Sequence, residues 1–259
     1  MRDHFTQKAK KRIMNNLILH FILILSLNAF AQEVEILPCE CCGNSELKKV
    51  SEFENIDISL YYSFDGSSSN WCTSYLKPGG IAPKNPTQDE IVKAYELDDP
   101  DIIEELEAQR RDFVNWSCKY SPLQLQADHN SAWVEGVEGS GAGEIVLTFL
   151  DIFKPIEIWA GYGKSPGLFS ANNRPHNINV YVLQVDSSED TENGKLFSGL
   201  TRVAVHQIAL KDFNGFQDVD LDLPENLDRS KDYLIAIELI DVYAGRKYND
   251  TCISVIRNK

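Results

Sequence analysis

The chain has 259 residues and a formal charge of −14 at pH 7, from 39 acidic against 25 basic side chains. So acidic a surface repels polyanions, which makes nucleic acid and anionic membranes poor partners. Its six cysteines, an even number, suit an exported protein held by disulfides.

The first 31 residues read as a secretory signal. Lys8, Lys10, Lys11 and Arg12 form a basic patch, Leu17 to Leu27 an apolar run, and Ala29 and Ala31 a small-residue cleavage pattern, with Met14 as an alternative start. The apolar run is about half of the roughly 20 residues a spanning helix needs, so no stable membrane span is expected after cleavage. A lipid-anchored product is disfavoured, because Cys39 lies well past that run and follows Pro38. Cleavage would remove five basic and one acidic side chain, leaving a charge of −18. The expected location is secreted, periplasmic or otherwise extracytoplasmic.

Residues 32–116 read as a mixed, partly helical, cysteine-containing extension. Cys39, Cys41, Cys42, Cys72, Cys118 and Cys252 all survive cleavage. Six cysteines leave about 15 pairings open, with Cys72 or Cys118 expected to tie this region down and Cys252 to lie buried in a final strand. The run Cys39–Cys42 lacks the Cys-x-x-Cys spacing of a zinc site. Ile56, Ile58, Leu60 and Tyr62 alternate with polar neighbours and predict a strand. Asp65–Asn70 and the stretch from Pro78 to Thr87 read as loops. Asp99 then caps a helix with Pro100 in its first turn and Ile102, Ile103, Leu106, Arg110 and Phe113 at helical spacing. The glutamates between them read as a solvated helix face.

Residues 117–259 have an all-β texture. Strands are expected over 143–149, 156–159, 178–184, 201–209, 216–221, 233–242 and 252–257, separated by Gly, Pro, Asn and Asp clusters. Ser187–Gly194 reads as a polar, mobile loop. The glycine-rich stretch from Gly136 to Gly143 demands tight turns or positive φ before a strand carrying Ile145, Leu147 and Phe149. Trp133 before it, and Trp159 and Phe149, are expected in the core.

The order of motifs carries a resemblance. Tyr120-Ser121-Pro122, Asp128, Ala132–Gly136 and Gly141–Glu144 come first. Ala160–Lys164 and Asn172-Asn173-Arg174-Pro175 follow, then Phe216–Val219 and Asp241–Ser254. Over about residues 117–258 this resembles the discoidin-like, galactose-binding-like jelly rolls. The closest branch is the one named after the translocation domain of bacterial NAD glycohydrolases. The resemblance implies a discoidin-like jelly-roll β-sandwich whose end loops bind sugars, phospholipid head groups or proteins. The branch is not itself catalytic, and nothing here matches the NAD-cleaving partner domain.

Relatives often hold one structural calcium. Asp128, the Asn130 amide and loop carbonyls are hard oxygen donors of that kind, but Val255 stands where relatives often place a glutamate. Carbohydrate sites combine a flat aromatic ring with planar amides or guanidinium. Tyr162, Asn172, Asn173, Arg174 and His176 in one loop, and Tyr243, Arg246 and Tyr248 in another, supply both. Arg174 is equally suited to a structural carboxylate, and His206 reads as structural. No catalytic motif is present: there is no Gly-x-Ser-x-Gly elbow and no phosphate loop. Glu135, Glu138 or Glu144 would be the acid or base of the least favoured reading, a glycan-acting enzyme. The leading expectation is a secreted, non-enzymatic module that binds a glycan or a cell-surface protein. The alternative is a protein-interaction or translocation accessory for an exported partner.

Overall fold

Alternating apolar residues build the first strand, β1 (Asn55–Ser63), with Ile56, Ile58 and Leu60 buried. The computed structural model describes residues 41–64, 69–125 and 128–259. The signal assigned to residues 1–31, Cys39, and residues 65–68 of the expected Asp65–Asn70 loop lie outside the described residues.

After β1 come β2 (Asn70–Cys72), helices α1 (Gln88–Leu97) and α2 (Pro100–Ser117), β3 (Trp133–Val134), β4 (Ile145–Phe149) and β5 (Ile156–Ala160). A short helix α3 (Pro166–Ala171) precedes β6 (Arg174–Asp190), β7 (Gly194–Ala209), β8 (Gln217–Val219), β9 (Tyr233–Tyr243) and β10 (Cys252–Asn258). The strands form a six-stranded sheet in the order β1-β7-β6-β9-β4-β2 and a four-stranded sheet in the order β3-β10-β5-β8. Every strand pairing is antiparallel. This is the all-β, discoidin-like sandwich that the motif order implied.

Two apolar cores explain the layering. Between the sheets, Val146, Ile158, Ile178, Val180, Ile235, Ile237 and Ile253 meet around Trp133, which is fully buried. On the other face of the large sheet, Ile145, Leu147, Leu183, Leu234 and Phe197 are covered by Leu47, Val50 and Trp71. The sheet is therefore apolar on both faces, which is why Ile145, Val146, Leu147 and Thr148 are all buried. Leu47 and Val50 come from a helical turn over Ser45–Glu52.

The segment Thr73–Leu76 straps the two sheets together. Thr73 N donates to the Ile145 carbonyl (2.9 Å) and Leu76 N to the Val134 carbonyl (2.8 Å). Trp133 Nε1 donates to the Ser74 carbonyl (2.9 Å). Gly136 lets the strap approach: a Cβ there would lie 2.4 Å from the Tyr75 carbonyl oxygen. A disulfide joins Cys41 to Cys118, at the C-terminal end of α2. Of the two cysteines expected to tie down the extension, Cys118 does so covalently; Cys42, Cys72 and Cys252 are buried.

Two local expectations change. Ser187–Gly194 is not a loose loop. Most of it belongs to the β6–β7 hairpin, whose cross-strand pairs continue to Asp190 and Lys195. Polar composition misled there because that hairpin tip is solvent-exposed on both faces. In addition, α1 follows the irregular stretch, started by a capping box in which Thr87 and Glu90 satisfy each other's backbone N–H groups.

Candidate functional site

The loops after β5 and β9 meet at one end of the sandwich. Asn173 ties them: its amide donates to the Asn249 carbonyl, and its Oδ1 accepts from Gly245 N (2.7 Å). Asn172 Nδ2 donates to the Leu168 carbonyl (2.8 Å), closing α3. Arg174 makes a fork to Asp212, Nε to Oδ1 at 3.0 Å and Nη2 to Oδ2 at 2.7 Å. Its Nη1 donates to the carbonyls of Asn172 (3.0 Å) and Ala244 (3.1 Å). All three residues are buried; Asn173 and Arg174 hold one loop against another, whereas Asn172 bonds within its own segment.

The remaining residues stand further out. His176 Nδ1 lies 3.0 Å from Asp241 Oδ1, and its ring is 4.4 Å from that of Tyr243. Hydrogen bonds from Asn177, aided by His176, hold the Asp241 carboxyl below its usual range. Tyr243 donates its hydroxyl to the Leu210 carbonyl (3.0 Å). Arg246 is exposed, as is Tyr248, at 40%. Arg174, Arg246, Phe169, Ser170, Asp212 and Ala244 line a cavity of about 170 Å³.

The structure thus gathers Asn172, Asn173, Arg174, His176, Tyr243, Arg246 and Tyr248 at one end. Tyr162 belongs elsewhere: it packs with Ala132, Val134, Cys252 and Tyr120, and burial pushes its hydroxyl pKa up. Phe169 and Asp212 were not singled out in the sequence. Asp212 sits in an ordinary polar turn, and only the fold shows that it faces Arg174.

Asp128 and Asn130 form a closed turn. Asp128 Oδ1 accepts from Asn130 N (2.8 Å) and from the Asn130 amide. These bonds hold the Asp128 carboxyl below its usual range. His129 between them stacks on Trp159, with centroids 4.4 Å apart and planes at 4°. Calcium takes about six to eight oxygens. Among the described residues no group of three or more His, Cys, Asp or Glu side chains gathers here or elsewhere. The Asp128 carboxylate is turned onto its own loop.

The two glutamates flanking the glycine loop are fully buried. Glu135 accepts from Val137 N (2.8 Å) and Thr251 N (3.2 Å), and burial raises its pKa against those bonds. Gly141, at φ +70°, folds the loop so close that a Cβ would meet the Glu135 side chain at 2.5 Å. Glu144 accepts from the Thr73 hydroxyl (2.6 Å) and pairs with Lys48 (3.0 Å). Burial pushes its pKa up, but hydrogen bonds from Ser74 and Thr73 and the Lys48 ammonium outweigh that, and the net shift is downward. Both carboxylates are covered by protein, and their contacts join segments of the fold.

Among the described helices none is long and apolar enough to cross a membrane. No curated protein matches the chain. A family model described as the NAD glycohydrolase translocation F5/8 type C domain matches residues 104–258, from within α2 through β10. That domain type is a translocation rather than a catalytic one. With its curled antiparallel sandwich and a match over more than half its length, the chain belongs to the NAD glycohydrolase translocation F5/8 type C domain family.

Proposed function

We propose that the chain is a non-catalytic, extracytoplasmic accessory domain that docks an exported partner protein through the loops at 161–174 and 243–251. Residues 1–31 act as its export signal in this reading. Residues 32–116 act as an extension that completes the large sheet with β1 and β2, the other strands coming from 117–259.

One observation carries the reading. Asn172, Asn173 and Arg174 bond to backbone carbonyls, to Gly245 N and to Asp212, so they hold a fixed loop surface. The cavity beside them, about 170 Å³, is smaller than the ~300–1,000 Å³ of small-molecule sites. What the surface offers is Tyr248 and Arg246, exposed residues of the kinds enriched at protein interfaces. The Cys41–Cys118 disulfide supports an oxidising compartment.

A photo-crosslinking residue at Tyr248, in the exported fraction of producing cells, tests the reading. One dominant protein adduct, lost when Arg246→Glu is added, is the expected result. No adduct, or the same adduct from a probe at Ile81, would defeat it. The same exposed rings and guanidinium favour a second reading, recognition of carbohydrate. Glycan-array binding that depends on Tyr248 and Arg246 would replace the first reading with it.

A further inference from the structure

Two cavities open at the opposite end of the sandwich, where β4 and β10 end and β5 and β9 begin. One, of about 500 Å³, has Ile152, Ile156, Val219, Leu223 and Leu227 in its lining. Its neighbour, of about 540 Å³, is lined by Tyr62, Phe149, Phe153, Tyr233, Arg229 and Lys231, among others. Both volumes fall in the ~300–1,000 Å³ range of ligand sites. Phe153 and Arg229 belong to both linings and form the crest between them. The Arg229 guanidinium carbon lies 4.3 Å from the Phe153 ring centroid.

The second cavity is aromatic on two sides. The Tyr62 and Phe149 centroids are 4.8 Å apart, and Tyr233 meets Phe153 edge-on at 5.7 Å. It is also locally cationic in an acidic chain. Its two acids already have cations, Asp151 with Lys154 (3.2 Å) and Asp232 with Lys195 (3.1 Å). Arg229 and Lys231 form no ion pair among the described residues. Asp228, just before them, turns its carboxylate onto Ser230 N (2.9 Å) and Oγ (2.7 Å), with Lys231 attracting it from beyond ion-pair distance.

We propose that this cavity is a binding site for an acidic saccharide, with a sugar ring against the aromatic walls and its carboxylate on Arg229 and Lys231. The ligand needs a flat C–H face, which aromatic rings accept, and an anion, which a guanidinium holds with two parallel bonds. A bare inorganic anion has no use for the rings, and a neutral sugar has none for two cations that form no ion pair. In the neighbouring cavity, Asp220 and Glu225 stand at the rim as acceptors for hydroxyls of an adjoining sugar unit. This site is independent of the loop end in the proposed function, so either can fail without the other.

The test titrates the full chain, by calorimetry and by amide NMR shifts, with trigalacturonate, its methyl ester and sialyllactose. At least one acidic probe should bind at millimolar or lower concentration, and the ester at least about tenfold more weakly than trigalacturonate where that is the binder. Arg229→Gln/Lys231→Gln, a surface change that leaves the cores untouched, should lower acidic-probe affinity by about tenfold or more. Phe153→Ala should weaken it as well, and Arg246→Ser/Tyr248→Ser should leave it unchanged. Binding by neither acidic probe overturns the proposal, as does equal binding of the ester or insensitivity to the double glutamine variant. Displacement by an aspartate-rich peptide at lower concentration than the saccharide assigns the cavity to protein and overturns it too.

Discussion

Glu144 ties the helical turn at Lys48 and the strap at Thr73 to the start of β4, and its removal can be worked through in numbers. The side chain is 1% exposed, accepts from the Thr73 hydroxyl at 2.6 Å, and meets Lys48 at 3.0 Å. Hydrogen bonds to a charged group are each worth about 1.5–3 kcal/mol. The Thr73 hydroxyl keeps a second acceptor in the Ile145 carbonyl (3.3 Å), so its loss is partly offset. Lys48 is 54% exposed, which limits its pairing to about 0–1 kcal/mol. Glu144→Ala should therefore cost about 3 kcal/mol, Glu144→Gln about 1 kcal/mol and Lys48→Met less than about 1 kcal/mol. Urea unfolding followed by tryptophan fluorescence measures these differences. Hydrogen exchange over residues 44–50 and 73–76 should show the loss concentrated there. The folded pKa of Glu144 lies below the ordinary glutamate value of 4.5, so its contribution is complete above that value and is lost as pH falls through the lower folded pKa. The gap between wild type and Glu144→Gln should accordingly close in acid. A Lys48→Met variant as damaged as Glu144→Ala, or an alanine variant within about 1 kcal/mol of wild type, would refute this account.

The two buried glutamates should titrate on opposite sides of 4.5 in carboxyl-carbon NMR, Glu135 above and Glu144 below. Because burial raises the Glu135 pKa, its ionisation lowers stability as pH climbs from 4.5 through that raised value, opposite in sign to Glu144. Cys41→Ser/Cys118→Ser opens a link across 77 residues, and chain entropy puts the loss at about 4 kcal/mol, read as a drop in urea midpoint. Gly136→Ala drives a methyl to 2.4 Å from the Tyr75 carbonyl and should cost about 2 kcal/mol or more by thermal unfolding. A protein trimmed to residues 104–258 loses β1, β2 and the strap. It should self-associate through the bared edges of β7 and β4 in light scattering, whereas the full chain does not.

Much of the fold was legible because its signals are local. Alternation marked β1, the Asp99–Pro100 pair marked the start of α2, and the spacing of motifs after residue 117 marked the sandwich. What stayed hidden depends on distant partners. Glu144 looked like one acid in a glycine-rich loop, and nothing nearby in sequence announces Lys48 or Thr73. The Ile145 side of β4 looked like a single apolar face, because its cover arrives from Leu47, Val50 and Trp71. At the loop end, amide and guanidinium groups suit sugar hydroxyls, and the same groups serve equally well to clamp backbone carbonyls. Sequence cannot separate the two uses, whereas burial of Asn173 and Arg174 and exposure of Tyr248 can.

The placement of β1 also sets an order of events as the chain is made. Thr201 lies opposite Asn55, 146 residues further on, whereas Cys118 follows Cys41 by only 77. In N-to-C synthesis the covalent partner is available long before β7 exists. Until β7 arrives, β1 lacks its neighbour, and closing so long a loop is the slow step for such sheets. The disulfide thus acts as an early tether: it holds the first segment near the growing chain while the edge strand β1 waits for β7.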